Sequence, residues 1–116
     1  MDKIYIHDLM LRCIIGIYPQ ERSEKQDVMV NVAMECDLAR AGQTDRIEDT
    51  VDYKSIKKEI IRLVEGSSFN LIEKLAAEVA QVCLAAAGVR RVTVTVDKPG
   101  ALRFTRSVAV EITREA

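Results

Sequence analysis

The sequence predicts an α+β domain with the element order ββααββ, in which a four-stranded antiparallel sheet carries two helices on one face. Apolar residues alternate at every second position in two long segments near the N-terminus and in two shorter segments near the C-terminus, a pattern typical of half-buried strands. Between them, apolar residues recur at helical spacing in two segments. Strands grouped at both ends of a chain around two central helices favour an antiparallel sheet whose helices cover one face.

The first strand is predicted over residues 3–18, with one shift of the alternation near Asp8 that indicates a β-bulge. Residues 19–25 are polar and are interpreted as a turn. Residues 28–38 then alternate without interruption, which predicts a second long, half-buried strand antiparallel to the first. The ends of two such long strands extend beyond the helices, and the sheet keeps two free edges. Because free edges tend to pair with other chains, we expect an oligomer with strands joined between subunits.

A connecting loop and then a helix are predicted in the middle of the chain. Residues 42–49 are polar and acidic, which indicates the loop. The helix is expected to begin at about Tyr53, with Asp52 as its cap, and to end at Gly66. The apolar face of this helix consists of Ile56, Ile60, Leu63 and Val64.

A second helix and two more strands complete the predicted fold. The helix is expected to run from Asn70 to Gly88, with several alanines that allow close packing. Residues 92–96 alternate valine with threonine, which predicts the third strand, and residues 97–106 are interpreted as a loop. The fourth strand is predicted around residues 108–112.

Composition limits the class of protein. The 116 residues suit a single domain spanning residues 1–116, and 48% hydrophobic with 30% charged residues is typical of a soluble globular chain. A net charge of −1 argues against nucleic-acid binding, which requires a clustered basic surface. No apolar run approaches the length that spans a membrane, and the N-terminus lacks the apolar region of a signal peptide. We therefore expect a cytoplasmic protein that binds neither membranes nor nucleic acid.

The cysteines and the single histidine do not predict a metal site. Cys13, Cys36 and Cys83 are odd in number, far apart and surrounded by apolar residues, so we expect buried thiols rather than disulfides. No two cysteines have metal-ligand spacing, and His7 lies in an apolar strand start. A zinc site of several His or Cys ligands cannot be assembled from this set. No compact acidic cluster suggests a carboxylate-bound divalent ion.

Four reactive side chains lie where a predicted element begins or ends: Glu21, Tyr53, Glu73 and Lys98. Element ends are where a rigid scaffold presents chemistry to a ligand, so the pattern favours an enzyme site. Each residue also has a structural interpretation. Glu21 suits a charge in a loop, Tyr53 a half-exposed cover for a helix end, and Lys98 a solvated turn residue. Asn70 and Glu73 together match a capping box.

The chain resembles the dihydroneopterin aldolase family, and the resemblance covers nearly its whole length. It is carried by Ile15-Gly16-Ile17 with Glu21-Arg22, Gln26-Asp27-Val28, Ala41 with Asp45, Asp49-Thr50-Val51-Asp52-Tyr53, Val64-Glu65, Phe69-Asn70-Leu71-Ile72-Glu73 with Leu75-Ala76, Val96-Asp97-Lys98-Pro99, and Val110-Glu111-Ile112 with Arg114. The resemblance implies the tunnelling fold, in which four subunits close one barrel and two such rings stack into an octamer. It also implies active sites between subunits, and no metal or organic cofactor.

The resemblance further implies a pterin substrate and a retro-aldol reaction. The family cleaves 7,8-dihydroneopterin into 6-hydroxymethyl-7,8-dihydropterin and glycolaldehyde. Glu73 corresponds to the residue that binds the pterin, because a carboxylate can accept hydrogen bonds from the 2-amino group and N3–H. Backbone groups near Val51 and Ile72 would complete that edge of the site.

Three further residues receive catalytic roles from the resemblance. Lys98 corresponds to the general acid/base that works through water near N5 of the pterin. Tyr53 corresponds to the residue that handles the proton of the 2′-hydroxyl. Glu21 corresponds to the carboxylate that orders water near the side-chain hydroxyls.

The loop after Lys98 departs from the aldolase pattern. It is more basic than in many aldolases and looks more like the dihydroneopterin triphosphate epimerase branch, with Arg103 and Arg106 placed to meet a triphosphate. The alternative interpretation is that these arginines pair with acidic neighbours or solvent. Three functions therefore stay open: an aldolase, a 2′-epimerase that repeats the cleavage and then re-adds the aldehyde, and a non-catalytic ring that binds pterins or purines.

Overall fold

The computed structural model describes all 116 residues and contains the predicted ββααββ order with additional short helices. Its elements are β1 (Asp2–Cys13), α1 (Pro19–Ser23), β2 (Gln26–Cys36), α2 (Ala39–Thr44), a 3₁₀ turn (Ile47–Asp49), α3 (Tyr53–Glu65), α4 (Ile72–Leu84), β3 (Arg91–Pro99) and β4 (Ser107–Glu115). None of the helices is long and apolar enough to cross a membrane.

The four strands form one antiparallel sheet in the order β1-β2-β3-β4, as the sequence predicts. Helix α4 packs against β3 and β4, and α3 packs against β1 and α4. The two long helices therefore cover one face of the sheet. Strands β1 and β4 leave the two edges unpaired within the subunit.

The core is aliphatic and contains no buried polar or charged side chain. It includes the alternate residues of β2 that face the helices, together with the apolar stripes of α3 and α4. Cys13, Cys36 and Cys83 are all buried thiols within this core, as expected. Desolvation by burial raises the pKa of each, that of Cys83 to about 12, so these thiols stay protonated at neutral pH.

The bulge predicted in the first strand is present. The pairing register of β1 and β2 shifts between Ile6 and Leu9, and Asp8 adopts a positive φ of 54°. The amide of Asp8 donates to the side-chain Oδ1 of Asn31 at 2.7 Å, which satisfies a donor that the ladder leaves out.

Helix α3 begins and ends where the sequence predicts. The side chain of Asp52 accepts a hydrogen bond from the amide of Ser55 at 3.1 Å, and Gly66 is the C-terminal cap. A short connection, residues 66–71, then leads into α4, and this returns the chain alongside α3. The N-terminus of α3 therefore lies at the far end of the helix pair from the N-terminus of α4. Thirteen residues at 1.5 Å each make that separation about 20 Å.

The first strand and the turn after it differ from the prediction. Strand β1 ends at Cys13 rather than near residue 18, because the chain turns at Gly16, whose φ of 122° is rarely adopted by residues with a side chain. The predicted turn at 19–25 contains helix α1, which starts with Pro19, a residue suited to the first turn of a helix.

Other boundaries also move. The predicted loop at 42–49 contains the end of α2 and the 3₁₀ turn, which are too short to show an apolar repeat. Helix α4 begins at Ile72 and ends at Leu84, inside the predicted span from Asn70 to Gly88. Strand β3 continues to Pro99, because residues 97–99 pair with β4 although they lack the alternating valines.

Candidate active site

An open cleft of about 630 Å³ lies where the segment after β1, the N-terminus of α4 and the end of β3 meet. Three segments of the chain that are distant in sequence supply its walls. It is lined by Ile15, Gly16, Ile17, Tyr18, Gln20, Glu21, Glu24, Lys25, Gln26, Asn70, Leu71, Ile72, Glu73, Lys98, Gly100 and Ala101. Of the residues predicted to act on a ligand, Glu21, Ile72, Glu73 and Lys98 lie together here.

Lys98 and Glu21 form an ion pair within this cleft. The Nζ atom of Lys98 donates to Oε2 of Glu21 at 2.5 Å, and the two side chains are only 15% and 16% exposed. Strand β3 delivers the lysine and helix α1 delivers the carboxylate. The alternative interpretations of a solvated lysine and of a loop charge are therefore wrong.

The carboxylate of Glu21 is held by more than the lysine. Its Oε1 accepts from the amide of Tyr18 at 3.2 Å, and its Oε2 accepts from Nε2 of Gln26 at 3.2 Å. The hydrogen bond from Lys98 is the largest cause that lowers the pKa of Glu21, from an ordinary 4.5 to about 2, against the opposing effect of desolvation. Glu21 is therefore an anion at neutral pH.

Gln26 is a polar residue of the cleft to which sequence reasoning assigned no role. Its Nε2 bridges the Glu21 carboxylate and the carbonyl of Ile15, at 3.2 Å and 2.7 Å. A glutamine at the start of an alternating strand gives no local signal of such a contact. The contact depends on the turn between β1 and β2, which brings Ile15 and Glu21 next to Gln26.

Gly16 makes the position of Glu21 possible. A Cβ atom built on Gly16 would overlap the carboxylate of Glu21, and the φ of 122° also disfavours any other residue. The glycine thus allows the chain to pass directly beneath the acid. Ile15-Gly16-Ile17 belonged to the strings that carried the family resemblance, but its physical reason becomes visible only in the fold.

Glu73 is available to a ligand. It is the second residue of α4, and neither it nor Asn70 makes a capping hydrogen bond, so the capping-box interpretation is wrong. Its carboxylate makes no hydrogen bond or ion pair within the chain, although it lies at the electropositive end of a helix. Next to it, Ile72 is 8% exposed and presents a small apolar surface to the cleft.

Tyr53 and Val51 do not lie in the cleft of their own subunit. Tyr53 is 53% exposed at the N-terminus of α3, and this end of the helix pair is about 20 Å from the cleft. Val51 is 3% exposed and belongs to the core near Gly88, while its carbonyl accepts from the amide of Tyr53 at 2.9 Å. A second subunit would have to bring these two residues to the cleft.

Only the first residues of the basic loop line the cleft. Gly100 and Ala101 reach the cleft, whereas Arg103 and Arg106 do not. The guanidinium of Arg103 lies 5.2 Å from the ring of Phe104, which is 99% exposed and has a positive φ of 67°. Neither arginine forms an ion pair with an acidic neighbour of this chain. Both guanidinium groups therefore remain open to an anion.

The donor set of the chain does not form a metal site. No group of three or more His, Cys, Asp and Glu side chains is arranged to hold an ion. His7 lies on an exposed strand, with its ring stacked on Tyr5 at 5.2 Å between centroids. The polar groups of the cleft include the Lys98–Glu21 pair, the Gln26 amide and the separate carboxylate of Glu73.

Comparison with known proteins gives a consistent family. The family model described as FolB, dihydroneopterin aldolase, matches residues 4–113. The chain is 40% identical over 114 residues to the folic acid synthesis protein FOL1 of Dictyostelium discoideum, covering 98% of this chain but only 17% of that much longer protein. It is 39% identical over 112 residues to a dihydroneopterin triphosphate 2′-epimerase of Pseudomonas aeruginosa, covering 97% and 91%.

A solved structure shares the same architecture. The Escherichia coli dihydroneopterin aldolase in complex with neopterin superimposes with a TM-score of 0.94 at 32% identity, covering 98% of this chain and 99% of that one. At this identity the likeness extends beyond the arrangement of strands and helices, and the expected tunnelling-type fold is confirmed.

Proposed function

The chain belongs to the dihydroneopterin aldolase family, and we propose that it cleaves 7,8-dihydroneopterin into 6-hydroxymethyl-7,8-dihydropterin and glycolaldehyde. The observation that carries the proposal is the juxtaposition in one cleft of a lysine–glutamate pair with a second carboxylate that has no partner of its own. The first arrangement suits proton transfer, and the second suits recognition of a ligand rich in N–H donors.

The cleft suits a pterin in size and chemistry. A volume of about 630 Å³ lies within the range of small-ligand sites. Glu73 can accept hydrogen bonds from the 2-amino group and N3–H, and Ile72 offers an apolar contact for the ring. The relative from Escherichia coli was solved with neopterin, a ligand of the same class.

The proposed reaction needs one base and one place for the released electrons. A base takes the proton of the 2′-hydroxyl, the C1′–C2′ bond breaks, and glycolaldehyde leaves with the new carbonyl. The electron pair of that bond moves into the N5=C6 imine of the dihydropterin, and a proton then returns to C1′. The substrate accepts the electrons itself, so we propose that neither a metal nor an organic cofactor is required.

Lys98 and Glu21 are the proposed proton-handling groups in the cleft. Lys98 can exchange a proton with N5 through water, while the anion of Glu21 holds the lysine in place and orders that water. Because the imine of the substrate accepts the electrons, Lys98 can act by proton transfer alone and does not need to form a Schiff base. Trapping with borohydride in the presence of substrate is accordingly expected to leave Lys98 unmodified.

We propose that a neighbouring subunit supplies Tyr53 and the backbone near Val51. These residues are about 20 Å from the cleft of their own chain, a distance that no side-chain rotation can close. The unpaired edges of β1 and β4 offer a way to join subunits into a ring, as a tetramer or as a stacked octamer. The cytoplasmic location expected from the sequence stays a prediction.

The test is direct. Purified protein is incubated with 7,8-dihydroneopterin, and both products are separated and quantified against time. Stoichiometric formation of glycolaldehyde and 6-hydroxymethyl-7,8-dihydropterin supports the proposal. Binding of the pterin without any product, at high protein concentration, would instead support the non-catalytic ring.

A triphosphate 2′-epimerase is the second candidate, and two observations favour it. One relative with that name is 39% identical, and the loop beside the cleft carries Arg103 and Arg106. The reaction is the same cleavage, after which C1′ of the bound pterin adds again to the aldehyde, on the opposite face of its carbonyl group. Guanidinium groups suit phosphate oxygens, because their planar fork matches two oxygens at once.

The two candidates differ in their dependence on the phosphates. If the protein is an epimerase, it turns over the triphosphate faster than the unphosphorylated substrate. The KM for the triphosphate then rises when Arg103 or Arg106 is changed to alanine. The aldolase requires that both variants turn over the unphosphorylated substrate within about two-fold of the unaltered protein. Measuring both substrates with all three proteins separates the candidates.

A further inference from the structure

The guanidinium of Arg22 contacts three backbone carbonyls from two separate segments of the chain. Its Nη1 donates to the carbonyl of Gly16 at 3.0 Å and to that of Phe69 at 3.1 Å, and its Nη2 donates to that of Ser68 at 2.6 Å. No carboxylate of the chain forms an ion pair with it. The contacts of this cation are therefore directed entirely to backbone.

The three carbonyls belong to two neighbouring walls of the cleft. Gly16 lies directly beneath the carboxylate of Glu21, on the wall that contains the lysine–glutamate pair. Ser68 and Phe69 immediately precede residues 70–73, which form the other wall and include the proposed pterin-binding carboxylate. The guanidinium therefore joins the two walls, although Arg22 is not one of the residues that line the cleft.

Apart from the hydrogen bonds of Arg22, one weak backbone hydrogen bond joins the segment at Gly16 to the segment at Phe69. The amide of Gly16 donates to the carbonyl of Phe69 at 3.4 Å, near the limit for such a bond. Hydrogen bonds from a charged guanidinium are shorter and stronger than those between neutral groups. Among the hydrogen bonds that join the two walls, those of Arg22 are therefore the stronger.

The chemistry of the contact requires arginine rather than any cation. A guanidinium presents several N–H donors in one rigid plane, so it can reach carbonyls from two segments at the same time. A lysine ammonium at the end of a flexible stem is a point charge and does not reproduce this fork. If residue 22 served only to supply a positive charge, arginine and lysine would be interchangeable at this position.

We propose that Arg22 is a positioning residue for catalysis, which sets the distance between the proton-transfer wall and the pterin-binding wall. This inference rests on the proposed function. Arg22 does not itself line the cleft, so its effect passes through Gly16 to Glu21 and through Phe69 to the segment that ends at Glu73. Because both walls contact one substrate, a change in their separation weakens binding and slows the reaction together.

The test compares Arg22→Ala and Arg22→Lys with the control Arg62→Ala in the intact oligomer. Arg62 is 80% exposed on α3 and pairs only with Glu59 of the same helix. We expect kcat/KM to fall by between about ten-fold and about a hundred-fold for both Arg22 variants, since small misplacements at a site cost that much. The control is expected to stay within about two-fold.

Two further measurements separate positioning from a loss of folded protein. A reduced folded fraction lowers the apparent kcat but leaves KM and the Kd for neopterin unchanged, whereas positioning raises KM and Kd. Millimolar guanidinium should restore part of the lost affinity to Arg22→Ala, and methylammonium should not. If Arg22→Ala does not fold, which circular dichroism reports, Arg22→Lys provides the same comparison of KM and Kd.

The outcomes distinguish this inference from the proposed function. Normal KM, Kd and kcat in Arg22→Lys or Arg22→Ala overturn the positioning role, whatever the reaction is. If the unaltered protein binds neopterin but turns over no dihydroneopterin, the proposed function fails, and the Kd values still decide the role of Arg22. If the unaltered protein does not bind neopterin, the inference fails together with the proposed ligand.

Discussion

Lys98 and Glu21 are 77 residues apart in the sequence, and in the fold the lysine Nζ lies 2.5 Å from Oε2 of the glutamate. The lysine comes from the end of β3, and the glutamate comes from a short helix after β1. Two neutral donors, the Tyr18 amide and the Gln26 side chain, also contact the same carboxylate. The carboxylate that contacts the lysine is thus itself held by two further hydrogen bonds.

Replacing Lys98 tests its role in proton transfer. We expect Lys98→Met to lower kcat by about 10²-fold to 10⁴-fold, the range typical of a lost general acid or base. The affinity for neopterin should change little, because the proposed pterin-binding carboxylate belongs to another wall. The measurements are steady-state kinetics and a binding titration. Lys57→Met, on the exposed surface of α3, is the matched control.

A loss of affinity equal to the loss in kcat would contradict this prediction. It would assign Lys98 to ligand binding rather than to the reaction. A normal kcat would remove the lysine from the mechanism altogether.

The depressed pKa of Glu21 predicts how stability depends on pH. The folded protein lowers this pKa from 4.5 to about 2, so the anion stabilises the fold above about pH 4.5. That contribution is lost as the pH falls from 4.5 towards 2, where the folded protein also binds the proton. We therefore expect Glu21→Gln to have a flatter dependence of unfolding free energy on pH in this window than the unaltered protein.

Chemical denaturation at a series of pH values measures the effect. Asp27→Asn serves as a control, because Asp27 lies on the exposed side of β2, where its ion pair with Arg12 is open to solvent. Parallel curves for Glu21→Gln and the unaltered protein would contradict the prediction. They would mean that the ion pair with Lys98 does not stabilise the folded state.

Features of the fold that depend on neighbouring residues could be predicted from the sequence, whereas features that depend on contacts between distant segments could not. The strands, the bulge at Asp8 and the cap at Asp52 were predicted because alternation and capping chemistry act over a few residues. Helix α1 and the end of β3 were missed because only contacts with distant segments define them.

The candidate site shows the same division. Glu21, Glu73 and Lys98 were identified from their places at element ends and from the family resemblance, and all three line one cleft. The hydrogen bonds of Gln26 and Arg22 join segments that no local pattern connects. The position of Tyr53, far from the cleft of its own chain, is a property of the helix pair as a whole.

Gly16 is expected to tolerate no side chain. Gly16→Ala would place a methyl group against the carboxylate of Glu21 and would also strain a backbone with φ of 122°. We expect a loss of stability of about 1–3 kcal/mol, typical of strain at such a position, and a fall in turnover as Glu21 is displaced from Lys98. Thermal unfolding and kinetics on the same preparation measure both effects.

Gly42→Ala is the matched control. A Cβ at Gly42 meets nothing within 4 Å, and the residue lies in helix α2, where alanine is favoured over glycine. This variant should be as stable as the unaltered protein or slightly more so. Full activity and stability in Gly16→Ala would show that the close approach of Glu21 is not needed.

Mixing two inactive variants tests whether Tyr53 completes the cleft of a neighbouring subunit. In Tyr53→Phe every cleft lacks the phenol, and in Lys98→Met every cleft lacks the lysine. If each site combines Lys98 of one chain with Tyr53 of another, hybrid oligomers contain sites with both residues intact. Random mixing in equal amounts then restores about one quarter of the normal sites, because two independent choices must both be correct.

The experiment separates a shared site from a site within one chain. The two variants are unfolded together, refolded and assayed beside samples refolded separately, and activity near one quarter of normal is expected only in the mixture. If both residues acted within one subunit, every chain would still carry one defect, and mixing would restore nothing. A mixture without restored activity would therefore contradict the shared site. A site within one chain is also difficult to reconcile with the distance of about 20 Å between Tyr53 and the cleft of its own chain.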